Sequence, residues 1–236
     1  MALTYGFALF FSVFRGKGYL HKRLKCAIWK IYFHPFWFSM QFDTRRFASL
    51  VSWIISPVVV APAVYLCIVL HDYSAKSHHL DWFFLLLLSA TIAPMFLILG
   101  LKKIGKVSDY NITFREQRFL PLLVLVGVNL VGYELMKQVG APRFLSGILL
   151  FNAVNTVFIL LVTLQWKISI HLFSLTSSIA LLVFSIGKPA LALLAFVPLL
   201  MWSRVYLKAH NFMQTLVGGL IGFSLMYGEF KWWLSL

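Results

Sequence analysis

The sequence predicts an all-α fold: a polytopic bundle of six to seven transmembrane helices, preceded by an amphipathic, interfacial N-terminal segment. Two properties of the 236-residue chain favour this class, since 61% of its residues are hydrophobic and only 12% are charged. A soluble domain of this length needs more polar surface than such a composition provides. In addition, several apolar runs reach the roughly 20 residues that a helix needs to cross a bilayer.

Seven apolar runs are candidate spans: 48–71, 81–101, 119–137, 143–165, 168–187, 189–202 and 208–228. Pro57 and Pro62 are expected to kink the first run, and Pro94 lies inside the second, because proline removes a helical hydrogen bond. The run 189–202 is the shortest. The prediction is therefore six spans if this run does not cross the membrane and seven if it does.

The first 47 residues form a separate segment, and residues 48–236 form the bundle. Between Arg15 and Arg46, Lys and Arg alternate with Trp, Tyr and Phe. Cations favour anionic lipid and aromatic rings favour the headgroup level, so we expect this segment to lie on the membrane surface. A disordered basic tail is the alternative, but such tails are poor in aromatic residues.

The formal net charge of +14 indicates an anionic partner. No nucleic acid is expected, because such long apolar runs leave no basic face; membrane lipids and a phosphorylated substrate suit the charge better. With seven spans, sixteen of the 21 Lys and Arg lie on the side of the N-terminus, here called the N-terminal face, and five on the other. Positive loops mark the cytoplasmic side, so we expect a multi-pass protein of the cell inner membrane whose N-terminal face is cytoplasmic.

Three polar clusters interrupt the apolar pattern, and each opens a run that leaves the N-terminal face. They are residues 109–121, 165–175 and 202–219. Their candidate functional side chains are Arg115, Arg118, Lys167, Ser169, His171, Arg204, His210 and Gln214. Taken singly, the arginines could be cations that reach the lipid interface, and the first histidine could be a packing residue bonded to a carbonyl.

Together these side chains indicate an anion site on the N-terminal face. Several cations, two histidines and a serine fall at one membrane depth, where ionisable residues are costly and usually functional. Arginine binds two phosphate oxygens at once, and helix N-termini add backbone N–H donors, so phosphate is the expected ligand. No metal and no cofactor are expected, and the two cysteines, Cys26 and Cys67, lack the spacing of metal ligands.

The order and spacing of the clusters resemble the three signatures of the type-2 phosphatidic acid phosphatase superfamily of lipid phosphatases and haloperoxidases. Residues 203–214, SRVYLKAHNFMQ, are similar to the third signature, with Gln214 in the place of its Asp. Residues 169–171, SIH, keep the Ser and His of the second, Pro-Ser-Gly-His. Residues 118–121, RFLP, resemble the end of the first, which is Lys, six residues, Arg-Pro.

The resemblance implies hydrolysis of a phosphate ester through a phosphohistidine. His210 matches the histidine that attacks phosphorus, and His171 matches the one that protonates the leaving oxygen. Arg118, Arg204 and Ser169 match positions that hold the phosphate. The implied substrate is a lipid phosphate or a polyprenyl diphosphate, with its headgroup at the N-terminal face and its tail among the helices.

Three positions depart from the family pattern. Asn111 stands where the first signature has Lys, although Arg115 could supply the missing cation from the same side of the turn, and Lys167 is a further candidate ligand. Ile170 replaces a Gly, which makes close backbone approach to phosphate harder. Gln214 supplies no negative charge to the attacking imidazole; in a serine-protease triad, the equivalent Asp→Asn change lowers kcat about 10⁴-fold.

These departures leave two functions open. The first is a membrane phosphatase in which Gln214 replaces the acid that orients the attacking histidine. The second is a catalytically impaired relative that serves as a lipid-binding or structural subunit of a larger membrane complex. A transporter or channel suits the sequence less well, because no acidic relay lies within the spans and the polar residues gather on one face.

Overall fold

The structure, a computed structural model, describes residues 43–109, 112 and 114–236. The side chain of Arg115, residue Asn111 and nearly all of the interfacial segment expected over 1–47 lie outside the described residues. The described part consists of helices and their connections, without a strand, which confirms the all-α prediction for that part of the chain.

The helices follow the predicted runs closely in the middle of the chain and less closely at its ends. In chain order they are α1 Thr44–Ile54, α2 Pro57–Tyr73, α3 His79–Leu87, α4 Ala93–Lys103, α5 Phe119–Gln138, α6 Arg143–Gln165, α7 Ile170–Ile186, α8 Phe196–Tyr206 and α9 Phe212–Ser235. A π-helical turn, Leu88–Ile92, joins α3 to α4. Two 3-10 helices, Arg115–Gln117 and Lys188–Ala195, precede α5 and α8.

Four described stretches are long and apolar enough to cross a membrane: His79–Lys103, Phe119–Gln138, Arg143–Gln165 and Lys188–Tyr206. A fifth candidate exists if α1 and α2, which meet at a 41° bend, form one span. By length and composition, the described residues therefore contain four or five candidate spans, and the predicted six to seven are not confirmed. Helix α7 has only 17 residues, and α9 has 24 but is less apolar.

The first predicted run differs from the structure because it is broken rather than kinked. Helix α1 ends at Ile54, and Pro57 occupies the first turn of α2. Proline has no N–H to continue the helical ladder, but it is favoured at a helix start. Pro62 lies inside α2 without ending it. The run predicted over 189–202 begins as a 3-10 helix and continues to Tyr206 as α8.

Helix α7 packs most closely against α9, and two glycines of α9 make this possible. A Cβ atom at Gly218 would lie 2.8 Å from the carbonyl oxygen of Ser169, and one at Gly222 would overlap the backbone of Phe173. The close approach lets the backbone N–H of Ser169 donate to the carbonyl of Gln214 at 3.2 Å. The second and third polar clusters are thereby held against each other.

Two apolar cores fix the helices around this contact. The larger one, with Ile68, Leu145 and Phe230 fully buried, joins α2, α6 and α9. A smaller one beneath the N-terminal face contains Leu172 of α7 and Leu200 of α8 together with residues of α1. The smaller core holds α1 against the end of α8, where the third polar cluster begins.

Candidate functional site: a buried cluster of cations and histidines

Five of the predicted site residues come together at the N-terminal end of the bundle, and we call them the cation cluster: Arg118, Lys167, His171, Arg204 and His210. They come from four different parts of the chain: the residue before α5, the α6–α7 connection, the first turn of α7, and the end of α8 with the turn after it. Hydrogen bonds link these parts: Arg118 donates to the carbonyl of Ile168, next to Lys167, and the backbone N–H of His210 donates to the carbonyl of Arg204. The backbone N–H of Ser169 donates to the carbonyl of Gln214. The three sequence clusters therefore contribute to one site.

Arg118 is buried, with 3% of its surface exposed. Its Nε donates to the carbonyl of Ile112 at 2.9 Å, and its Nη1 donates to the carbonyl of Ile168 at 3.3 Å. These bonds link the loop before α5 to the α6–α7 connection and use two of the five N–H donors that a guanidinium carries. Burial lowers the pKa of Arg118, while the charges of Asp109 and Glu116 act in the opposite direction.

Arg204 is also buried, with 5% exposed. Its Nη1 donates to the hydroxyl of Ser52 on α1 at 2.7 Å, and its Nε is buried without a hydrogen-bond partner in the described structure. The neighbouring Ser203 hydroxyl donates to the carbonyl of Ala48 at 2.6 Å. Sequence reasoning missed Ser52, because one serine in an apolar run, 152 positions from its partner, carries no local signal.

Gln214 holds the ring of His210. Its Oε1 lies 3.2 Å from Nδ1 of His210 and also accepts the backbone N–H of Asn211 at 3.1 Å. Because a backbone N–H can only donate, this contact identifies the atom as the amide oxygen, and the neutral ring must then carry its proton on Nδ1. Nε2 is left with a free lone pair, which is the form a nucleophile requires.

The same side chain caps helix α9. The backbone N–H of Gln214 donates to Oδ1 of Asn211 at 2.8 Å, which completes a reciprocal capping box. The spacing Asn-x-x-Gln before an apolar run is a sequence signal for such a box. Sequence reasoning treated Gln214 only as a replaced acid and missed this structural role. Nδ1 of His210 is thus bonded to a neutral amide oxygen rather than to a carboxylate.

A tight turn between α8 and α9 folds His210 back toward the cluster. Lys208 adopts a left-handed conformation, with φ +55°, and the backbone N–H groups of Ala209 and His210 both donate to the carbonyl of Arg204, at 3.1 and 3.3 Å. Glycine usually occupies such a position at a helix end. The turn therefore ties the backbone of His210 to Arg204, whose side chain is buried.

The surroundings of His210 keep its ring neutral. Burial lowers its pKa to about 3, and the positive charges of Arg204, Lys167 and Arg118 act in the same direction. Burial also lowers the pKa of Lys167, with the charges of Arg118 and Arg204 adding to the effect. At neutral pH the cluster therefore combines fixed positive charge with an unprotonated imidazole.

Ser169 lies against the cluster with its side chain fully buried. Its hydroxyl has no hydrogen-bond partner among the described residues. Its backbone N–H is already bonded to the carbonyl of Gln214, so this N–H is not free to bind a phosphate. Ser169 can therefore contribute its hydroxyl to a ligand, but not its backbone N–H.

The cluster borders a cavity of about 290 Å³, whose lining includes Arg118 and His171. No ion pair joins Arg118, Lys167 or Arg204 to a carboxylate among the described residues. Chemically, the arrangement offers hydrogen-bond donors to an anion, a neutral imidazole as nucleophile and a second imidazole to transfer a proton. No protein-family model, no curated protein and no solved structure matches this chain.

Proposed function

We propose that this protein is an integral-membrane phosphatase that hydrolyses a lipid phosphate or a polyprenyl diphosphate through a phosphohistidine. The observation that carries the proposal is the burial of two guanidinium groups, on Arg118 and Arg204, without a carboxylate partner in the described structure. A buried cation without a directly bonded counter-ion is unfavourable. A bound phosphate supplies that charge, and guanidinium groups suit its oxygens in geometry.

The proposed topology has seven crossings. Helices α1 and α2 form one broken span, and α7 and α9 cross in addition to the four candidate spans. Every polar stretch of the cation cluster then faces the same side, which the distribution of Lys and Arg assigns to the cytoplasm of the cell inner membrane. A lipid substrate places its phosphate in the cluster and its tail among the helices.

In the first step, Nε2 of His210 attacks phosphorus, a P–N bond forms and the bond from phosphorus to the leaving oxygen breaks. His171 gives a proton to that oxygen, which departs as an alcohol or, from a diphosphate, as a monophosphate. The charge of the bound phosphate offsets the neighbouring cations, so His171 can hold the proton that this step needs. Nδ1 of His210 keeps its proton and forms a hydrogen bond through it to Oε1 of Gln214.

In the second step, water attacks the phosphohistidine. His171, now neutral, takes a proton from the water as the P–N bond breaks, and inorganic phosphate leaves with His210 restored. Arg118, Arg204 and Lys167 stabilise the negative charge on the phosphoryl oxygens in both steps, and Ser169 adds a hydroxyl donor. The Gln214 amide orients the imidazole but adds no charge to stabilise it as a cation.

A second function, that of a lipid-binding or structural subunit of a membrane complex, is favoured by one observation. The side chain of Gln214 has a structural role of its own, because its Oε1 accepts the backbone N–H of Asn211, while the backbone N–H of Gln214 donates to the Asn211 side chain. A site that keeps a cap in the place of a catalytic acid can bind phosphate without hydrolysing it. The assay below separates the two functions.

The test is phosphate release from a panel of phosphatidate, lysophosphatidate and polyprenyl diphosphates by the purified full chain. His210→Ala is compared with His78→Ala, which changes an exposed histidine bonded to Asp81. We expect release by the wild type and by His78→Ala, and none by His210→Ala. Equal release by both variants contradicts the phosphatase; no release from any lipid that still binds supports the second function.

A further inference from the structure

Two hydrogen bonds join helix α1 to the end of α8. The hydroxyl of Ser203 donates to the carbonyl of Ala48 at 2.6 Å, and Nη1 of Arg204 donates to the hydroxyl of Ser52 at 2.7 Å. Ala48 and Ser52 are four residues apart in α1, so they lie on the same face of this helix. Two consecutive residues of α8 are thus bonded to one turn of α1.

This contact is shielded from water. Ala48 and Ser203 are fully buried, and Ser52 is 7% exposed. Ser49 and Trp53, which follow the two bonded residues of α1 in the chain, are exposed. A hydrogen bond to a charged group contributes more than one between neutral groups, and a buried site strengthens it further. The bond between Ser52 and Arg204 is therefore expected to hold the guanidinium firmly.

The bonded oxygen is neutral, which suits an arginine that binds an anion. A carboxylate at the position of Ser52 would fix the guanidinium and also neutralise its charge. A hydroxyl fixes one N–H and leaves the positive charge for a ligand. Because the guanidinium is planar and its five donors have fixed directions, the bond at Nη1 restricts the directions of the others.

The two buried arginines of the cation cluster are held in different ways. Arg118 donates to the backbone carbonyls of Ile112 and Ile168. Among the described residues, the guanidinium of Arg204 is bonded to the hydroxyl of Ser52 alone. Backbone carbonyls remain when side chains are changed, whereas this hydroxyl is removed by a single substitution. The orientation of Arg204 can therefore be tested directly.

Arg204 also connects α1 with the proposed nucleophile. Its carbonyl accepts the backbone N–H of His210 at 3.3 Å, while its side chain bonds to Ser52. The backbone of Arg204 is thus held by the turn after α8, and its guanidinium is held by α1.

We propose that Ser52 is a positioning residue of the phosphate site, which orients the guanidinium of Arg204 for the anion and makes α1 part of the site. This role rests on the proposed function, because it requires Arg204 to bind the phosphate. The alternative is a purely structural bond between α1 and α8. The two differ in one respect: a positioning residue changes the affinity of the folded protein for phosphate, whereas a structural bond changes only its stability.

The experiment measures the dissociation constant of inorganic phosphate by titration calorimetry, with the full chain in lipid nanodiscs at constant ionic strength. Ser52→Ala removes the acceptor, and we expect it to weaken binding about three- to tenfold, as the loss of one hydrogen bond to a charged group does. Ser52→Thr keeps a hydroxyl and should bind phosphate as the wild type does. Should Ser52→Ala not fold, Ser52→Cys, which has a weakly accepting sulfur of similar size, takes its place.

Two matched changes serve as controls. Ser49→Ala alters an exposed serine of the same helix. Ser146→Ala alters a serine that is 4% exposed and donates to the carbonyl of Arg143 at 3.2 Å, at the other end of the bundle. Both should leave the affinity for phosphate unchanged. The unfolding midpoint of each variant shows whether it is folded under the conditions of the titration.

A double-variant cycle shows whether Ser52 acts through Arg204. In the background of Arg204→Gln, the change Ser52→Ala should have no further effect on affinity, because the side chain that Ser52 orients is gone. A bond that serves only to hold α1 in place predicts no such dependence on residue 204.

Equal affinity of the wild type and Ser52→Ala overturns the positioning role. An equal loss from Ser52→Ala in both backgrounds also overturns it, since the hydroxyl would then act independently of Arg204. Binding of inorganic phosphate does not involve turnover. A chain whose binding depends on Ser52 but which releases no phosphate from the lipid panel contradicts the phosphatase and leaves this role standing, whereas a wild type that does not bind phosphate overturns both.

Discussion

The two ends of the bundle treat their cations differently. At the end away from the N-terminal face, Lys137 is exposed, pairs with the carboxylate of Glu134 at 2.8 Å and lies 4.7 Å from the ring of Tyr133. Nearby, the guanidinium of Arg143 stacks at 4.2 Å on the ring of Trp233. These cations have water, an acid or an aromatic face around them, so their charge is already stabilised.

At the N-terminal face, Arg118 and Arg204 are buried and bonded only to neutral oxygens in the described structure. Lys167 adds to the same positive region, which also acts on the neutral ring of His210. A buried cation without a directly bonded carboxylate is unfavourable in a membrane protein, and function is the usual reason that it persists. The comparison teaches that the cations at one end have an acid or an aromatic ring as partner, whereas the buried arginines at the other end are bonded only to neutral oxygens in the described structure. We propose phosphate as the anion that binds there.

The largest expected effect is on hydrolysis. Arg118→Gln and Arg204→Gln each remove fixed positive charge from the phosphoryl oxygens, and we expect each to lower kcat/KM about 10²- to 10³-fold. Lys137→Gln and Arg143→Gln, the matched changes at the other end, should leave kcat/KM unchanged. Steady-state phosphate release measures all four. A similar loss at both ends would remove the distinction between them.

The next effect is on stability without ligand. Arg204→Met keeps the length of the side chain and removes a buried charge, so we expect the free energy of unfolding to be equal or up to about 1–4 kcal/mol higher. The hydroxyl of Ser52 can turn to a carbonyl of its own helix. Lys137→Met should change stability little. Thermal unfolding in detergent tests this, and strong destabilisation by Arg204→Met would mean that the guanidinium is structural.

A smaller effect is expected from a change in the hydrogen bond between Gln214 and His210. Gln214→Glu keeps the capping box and adds a negative charge beside Nδ1 of His210, which stabilises the imidazolium in the transition state; we expect kcat to rise about tenfold. Since the pKa of His210 begins at about 3, the added charge leaves its ring neutral at pH 7. Gln214→Leu removes the oxygen and should lower kcat. Slower turnover by Gln214→Glu than by Gln214→Leu would contradict a role for residue 214 in orienting the ring of His210.

The smallest effect is on the pH dependence of stability. The pKa of His210 is about 3 in the folded protein against 6.5 for an unperturbed histidine. Between these values the unfolded state binds a proton that the folded state does not, so stability falls as pH is lowered from 6.5 toward 3. His210→Asn should reduce this fall, whereas His78→Asn should not. Unfolding midpoints across that range, measured for all three proteins, check the difference.

The middle of the fold was predictable because sharp polar boundaries enclose its apolar runs. The runs 119–137 and 143–165 match α5 and α6 to within one residue at each end. The break between α1 and α2 was harder to predict, since Pro57 and Pro62 were both expected to bend one helix, while only the first ends it. Crossings by α7 and α9 stay a prediction, because short length and modest hydropathy leave them outside the candidate spans.

The members of the cation cluster were predictable from spacing, because each opens or closes an apolar run at the same end of the bundle. Their partners were not. Ser52 reaches Arg204 only through the packing of α1 on α8, which no local pattern encodes. Sequence spacing finds charges near a membrane boundary, whereas neutral partners become visible through tertiary contacts.

The most direct test of the central claim, that the buried cations await a phosphate, is the thermal unfolding midpoint of the full chain in phosphate and in chloride at equal ionic strength. A ligand that binds only the folded state raises this midpoint. We expect phosphate to raise the midpoint of the wild type and to raise it less in the double variant Arg118→Gln/Arg204→Gln, which keeps only the general stabilisation by a kosmotropic salt. An equal shift in both proteins, or none in the wild type, would contradict the claim.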